Sequence, residues 1–162
     1  MPALDDSAVL AHIAKLPHAR ATYKQLVKEL RANGHDRDRL EDTLDRLTDC
    51  KLAVLTNKPV HFSCAMLDGL GIYKHFAAVY GGNSFDHKKP DPVGVYQILS
   101  DTKGQRERTW MIGDSAVDVL TGRNAGTKTC GVTYGYATDT FKDAPPDFLI
   151  DNFCDLEALV HD

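Results

Sequence analysis

Asp114 and Asp118 lie four residues apart in the stretch MIGDSAVDVL, directly behind an apolar run. Two carboxylates at that spacing suit a hard divalent cation such as Mg2+, which takes oxygen ligands and keeps several waters. Two other polar clusters carry complementary chemistry. LTNKP at 55–59 offers the Thr56 hydroxyl and the Asn57 amide, together with backbone N–H groups at a helix start, a combination that suits a phosphate oxygen. HKKPDP at 87–92 offers Lys89, held directly before Pro90, whose charge would neutralise a phosphoryl group in the transition state. Hydroxyl, lysine and paired acids, in that order along the chain, point to metal-assisted phosphoryl chemistry.

Each cluster also has a plainer reading on its own. Asp114 would cap a helix, with Asp118 in its first turn against the helix dipole, and Thr56 would simply end a strand. Lys88 reads as a solvated neighbour. His61, His75 and His87 have no partner pattern and read as surface or satisfied positions, as do His12, His18 and His35 in the first part of the chain. Cys64 and Cys130 read as small core residues. Tyr134 and Tyr136 suit the mouth of a site and ordinary packing equally.

The elements that must position these groups follow from hydrophobic periodicity. From Lys51 onward, short apolar runs alternate with helical patterns, the signature of βα units and a parallel sheet. KLAVLT (51–56), FAAVYGG (76–82), RTWMIGD (108–114), KTCGVTYG (128–135) and FLID (148–151) read as strands or as holding one. HFSCAMLDGLGI, DPVGVYQILSDT and SAVDVLTGRNAG read as helices, the last ended by Gly126. In open α/β sheets, ligands bind beyond the carboxyl ends of the strands, where all three polar clusters fall.

Residues 1–49 show helical periodicity only. Val9, Leu10, Ile13 and Leu16 form one stripe ended by Pro17; Tyr23, Leu26, Val27 and Leu30 form a second ended at Asn33-Gly34; Leu40, Leu44 and Leu47 form a third. The expected division is a helical segment over 1–48 and a Rossmann-like α/β core over 49–162.

KLAVLTNKP, HKKPDP and MIGDSAVDVLTGRNAG together resemble the second, third and fourth motifs of the haloacid dehalogenase-like (HAD) hydrolases, nearest to their phosphoglycolate phosphatase branch. TCGVTYGY and PPDFLIDNFCDL match that branch's C-terminal pattern, so the resemblance covers about residues 40–160. It implies Mg2+-dependent hydrolysis of a small phosphorylated metabolite. Thr56 and Asn57 would bind phosphate, Lys89 would be the functional lysine, and Asp114 and Asp118 would hold the metal. The family's first motif is an apolar strand followed by Asp-x-Asp-x-Thr, which supplies the nucleophile and the acid/base. No such sequence occurs in the chain. The acidic cluster near the start, Asp5-Asp6-Ser7, has the wrong spacing and follows no strand pattern. In the family that strand lies mid-sheet, between those corresponding to 51–56 and 108–113, so the sheet is expected to lack its central strand and Mg2+ to bind weakly or not at all.

In its place, VLAHIAKLPHARATYKQLVKELRANGHDRDRLEDTLDRL resembles the N-terminal winged-helix domain of ribonuclease R, without the following strand–wing–strand. The chain therefore reads as a chimera joined near residues 38–48. A winged-helix-type nucleic-acid-binding module and a non-catalytic scaffold are the competing functional readings. HDRDRLEDTLDRLTD carries six acids against three arginines, which opposes phosphate contact. Residues 15–31 are more basic and are where nucleic-acid contact would fall. The net charge of −4 argues against a dedicated nucleic-acid or membrane-surface binder. Four dispersed cysteines, with no signal pattern and no long apolar run, set the expectation of a cytoplasmic protein with free thiols. A homodimer that completes the sheet is a further expectation.

Overall fold

The computed structural model describes residues 38, 42–47 and 49–161. The two N-terminal helical stripes, the Asp5-Asp6-Ser7 cluster and the basic stretch 15–31 lie outside the described residues.

From residue 51 the chain alternates as the periodicity predicts. Strand β1 (Leu52–Leu55) leads to helix α1 (Val60–Leu70), then β2 (Phe76–Tyr80) and α2 (Val93–Thr102). Strand β3 (Trp110–Gly113) leads to α3 (Ala116–Ala125), β4 (Lys128–Val132) and β5 (Phe148–Ile150). The last helix, α4 (Leu156–His161), has no counterpart in the periodicity reading. It is short, and a three-residue 3-10 turn precedes it directly. Gly126 ends α3 in the left-handed region at φ 75°, where a side chain would be strained.

Every strand pair is parallel, as crossovers through helices require. The strands form two sheets, β1-β2 and β3-β4-β5. Among the described residues, no strand pairs with the second edge of β1 or with the free edge of β3. The two strands expected to flank a missing neighbour have therefore not closed onto each other.

Apolar packing joins the two sheets where no strand ladder does. Leu47, Cys130, Ile150 and Leu156 form one buried cluster, and Leu52 of β1 packs against it together with Trp110 and Ile112 of β3. Burial also raises the pKa of the Cys130 thiol, which keeps it a neutral core group.

The stretch just before β1 belongs to this core. Residues 42–46 are helical. Thr43, Leu44 and Leu47 are buried, while Asp42, Asp45 and Asp49 face solvent. Arg46 Nε donates to Glu157 of α4 at 2.8 Å, and Thr43 Oγ1 lies 3.3 Å from Cys154 Sγ. The apolar face of the acidic helix is thus spent on the α/β core.

His75 departs from both positions expected of it. Its side chain is nearly buried, with Nδ1 3.6 Å from Asp45 and Nε2 left without a hydrogen-bond partner. His61 and His87 are exposed, as expected. Cys130 is buried, whereas Cys64 is only half-buried.

Candidate phosphate and metal site

The carboxyl ends of β1 and β3 open onto a cavity of about 570 Å³. Thr56, Asn57 and Lys58 line it from the first sheet, Asp114 and Asp118 from the second, and Lys89 from the segment before α2. All five residues singled out in the sequence therefore converge on one cavity.

The first wall is a short turn pinned by its own backbone. Thr56 N–H donates to the Tyr80 carbonyl at 3.0 Å, which extends β1 by one bond. Lys58 N–H donates to Thr56 Oγ1 at 3.2 Å, so the hydroxyl is held over the turn. Gly82 N–H donates to the Lys58 carbonyl at 2.8 Å. Asn57 ties this turn to the lysine segment by a reciprocal pair: its Nδ2 donates to the Lys89 carbonyl at 3.1 Å, and Lys89 N–H donates to its Oδ1 at 3.0 Å. Lys89 joins Pro90 through a cis peptide bond.

The second wall is built from acids on a packed helix. Val119, buried with Phe141 and Ala144, fixes the face of α3 that meets the core and leaves Asp118 toward the cavity. Lys89 Nζ donates to Asp118 Oδ1 at 2.5 Å, with side chains only 13% and 8% exposed. Ser115 Oγ donates to Asp118 Oδ2 at 2.7 Å. Gly113 is required here, since a Cβ at that position would come within 2.2 Å of Asp118 Cγ.

Asp114 does not cap α3. The cap position belongs to Ser115, and the Asp114 carboxylate instead turns across to the loop after β4, where Tyr136 N–H donates to Oδ2 at 2.8 Å. Gly135 permits this approach, because a Cβ there would meet Asp114 Cβ at 2.0 Å. The Tyr134 and Tyr136 rings are 40% and 59% exposed and do not line the cavity.

This donor set bears on Mg2+. Asp114 lines the cavity, and its Oδ2 accepts from the Tyr136 amide; a carboxylate at this position suits an oxygen-seeking cation. Asp118 has both oxygens engaged, by Lys89 and by Ser115. Among the described residues, no group of three or more His, Cys, Asp or Glu is placed to hold a metal ion. Of the two acids in the cavity, Asp114 is the one whose carboxylate is not paired with the lysine, so a cation there would rest chiefly on it.

A family model for haloacid dehalogenase-like hydrolases matches residues 3–132. The chain belongs to that family. The match begins well before β1 and takes in nearly all of residues 1–48, the part expected from the sequence to be a separate helical segment. The phosphoglycolate phosphatase of Vibrio vulnificus (strain CMCP6) is 34% identical over 147 residues, or 90% of this chain and 58% of that protein. The chain spans 50–65% of the length of this and two other curated phosphoglycolate phosphatases that it matches. The crystal structure of a predicted phosphoglycolate phosphatase from Haemophilus somnus aligns over 94% of this chain and 74% of its own, with a TM-score of 0.70 and 24% identity. That of CbbY from Rhodobacter sphaeroides, in complex with phosphate, aligns over 72% and 53%, with a TM-score of 0.63 and 23% identity. At such identities these two show a shared fold, the Rossmann-like α/β core of HAD proteins.

Three contributors to the site escaped the sequence reading. Lys58 sits inside LTNKP, and Ser115 inside GDSAVD, so their proximity was visible although their partners were not. The Tyr136 amide lies 22 residues from Asp114 and gives no local signal.

Proposed function

We propose that this chain is built around a phosphomonoester site of the HAD type, acting on a small phosphorylated metabolite with Mg2+ as its cation. The observation that carries this reading is the convergence of Thr56, Asn57, Lys89, Asp114 and Asp118 on one cavity at the carboxyl ends of β1 and β3. The Thr56 hydroxyl would donate to a phosphate oxygen and orient it, beside Asn57. Lys89, aligned by Asp118, would place positive charge where phosphoryl charge develops. Asp114 would hold Mg2+ directly and Asp118 would add negative charge behind it. When bound, that cation would polarise a phosphoryl oxygen as a Lewis acid. The relatives named as phosphoglycolate phosphatases support a phosphorylated carboxylic acid among the substrates to be tried.

Turnover by this chain alone is proposed to be very slow or absent. No Asp-x-Asp-x-Thr occurs in it. Without a nucleophile, positioning and electrostatics remain but the covalent step does not. The reading is tested with p-nitrophenyl phosphate and 2-phosphoglycolate in the presence of Mg2+. Orthovanadate or inorganic phosphate is expected to bind, and to lose binding in Thr56→Ala and Lys89→Ala, while hydrolysis stays near background. A robust Mg2+-dependent rate abolished by Asp114→Ala would overturn the impairment and mean that another acid serves as nucleophile. Absence of any phosphate or vanadate binding would overturn the site itself.

A further inference from the structure

The cavity holds two lysines in different electrostatic states. Lys89 is nearly buried and already paired with Asp118 at 2.5 Å, which fixes where its ammonium sits. Lys58 lines the same cavity with an exposed side chain and, among the described residues, no ion pair. Its backbone is fixed from both sides, the N–H by Thr56 Oγ1 at 3.2 Å and the carbonyl by Gly82 N–H at 2.8 Å. The residue is therefore anchored in register with the phosphate turn, and its ammonium is carried on an exposed, flexible stem at the cavity. Such a group adds nothing to the fold and costs chain entropy if it is ordered by a ligand. It becomes useful when the ligand brings an anion to it.

We propose that Lys58 is a specificity-determining residue which recognises a second anionic group, a carboxylate or a phosphate, carried one or two carbons from the ester phosphate. The inference rests on the phosphate-site reading above and deepens it. Thr56, Asn57 and Lys89 hold the ester phosphate, and Lys58 selects among phosphate esters by the charge of what is attached. A neutral organic tail leaves the Lys58 ammonium in water. An anionic tail pairs with it at the rim, where the gain is modest and sensitive to salt.

Calorimetric titration of the whole chain with Mg2+ at low ionic strength tests this with three probes of similar size: ethyl phosphate, 2-phosphoglycolate and ethane-1,2-diyl bisphosphate. The wild type is expected to bind one or both dianionic-tail or carboxylate probes about five-fold more tightly than ethyl phosphate, a preference of the size expected for an exposed pair. Whichever probe is favoured identifies the anion. In Lys58→Gln the ratio of affinities between the anionic-tail probes and ethyl phosphate falls toward one; in Lys58→Arg it survives. Added salt erodes it in the wild type. A wild type that binds all three probes equally, or a Lys58→Gln variant that keeps the preference, overturns the role of Lys58. A wild type that binds none of them overturns the underlying phosphate site instead. The backbone contacts of residue 58 persist in both variants, and matching thermal melts establish that any change lies in binding.

Discussion

The two walls of the cavity are made by different means. The β1 wall is a turn, Thr56 to Lys58, whose side chains are mostly at the surface and whose geometry comes from backbone hydrogen bonds to Tyr80, Gly82 and Lys89. The β3 wall is a pair of acids on a strand end and a helix that sit over buried Val119, with glycines where the backbone comes close. Chemistry on the first wall is nearly decoupled from the core. On the second it is part of the core's packing. Substitutions should therefore separate: those at the β1 wall change binding, and those at the β3 wall change stability first and binding as a consequence.

The sharpest test of that contrast is Asp118→Asn. It strips the charge from a nearly buried partner and leaves Lys89 without compensation, a loss expected to cost about 3 kcal/mol by chemical denaturation. The double variant Asp118→Leu with Lys89→Met should recover most of that stability and yet bind no phosphate, since apolar replacement of both partners removes the buried charge together with the site. If the single variant unfolds no earlier than wild type, the β3 wall is not structural in the sense argued here.

Gly113→Ala comes next. Its new methyl falls within 2.2 Å of Asp118 Cγ, so either β3 or α3 must shift. A destabilisation of about 1–3 kcal/mol is expected, accompanied by weaker phosphate binding because Lys89 loses its alignment. Unchanged vanadate affinity in that variant would show that Lys89 does not depend on Asp118 for its position.

Asn57→Ala probes the opposite wall. It deletes two bonds to the Lys89 backbone at a largely exposed position, and about 1 kcal/mol or less of stability should be lost. Phosphate binding should fall more than stability does, which is the reverse of the Gly113 pattern. Arg46→Ala, far from the cavity, removes the exposed pair with Glu157 and is expected to cost roughly 0.2–1 kcal/mol, less in high salt, with binding untouched.

Much of this was legible before any coordinates. The alternation of strand and helix from Lys51 onward is carried by local pattern, and local pattern suffices when each strand is a short apolar run closed by glycine, proline or a polar cluster. Of the five site residues that line the cavity, Thr56, Asn57 and Asp114 stand at or just past the end of such a run, whereas Lys89 and Asp118 were singled out by the motifs around them. Helix α4 was not, because six residues give too few turns for periodicity to register. The role of Asp114 as acceptor for the Tyr136 amide was hidden by sequence distance. The partner of Lys89 was hidden by a different cause. A GDSAVD stretch gives two acids equal standing as metal ligands, whereas packing of α3 gives one of them to Ser115 and the lysine. The burial of Thr43, Leu44 and Leu47 was only half visible. The leucine spacing was plain, but the surface they meet includes Cys130, Ile150 and Cys154, far along the chain.

Two hydrogen-bonded sheets with one cavity between them have a mechanical meaning. A hinge needs a line along which parts can move without tearing a strand ladder, and the boundary between β1 and β3 is such a line among the described residues. Across it run apolar packing, the Lys89–Asp118 contact, and hydrogen bonds from Tyr96 Oη to the Asn124 carbonyl and from Asn124 Nδ2 to the Pro90 carbonyl. The ion pair that aligns the lysine thus also ties the segment before α2 to α3, across the boundary that no strand ladder spans.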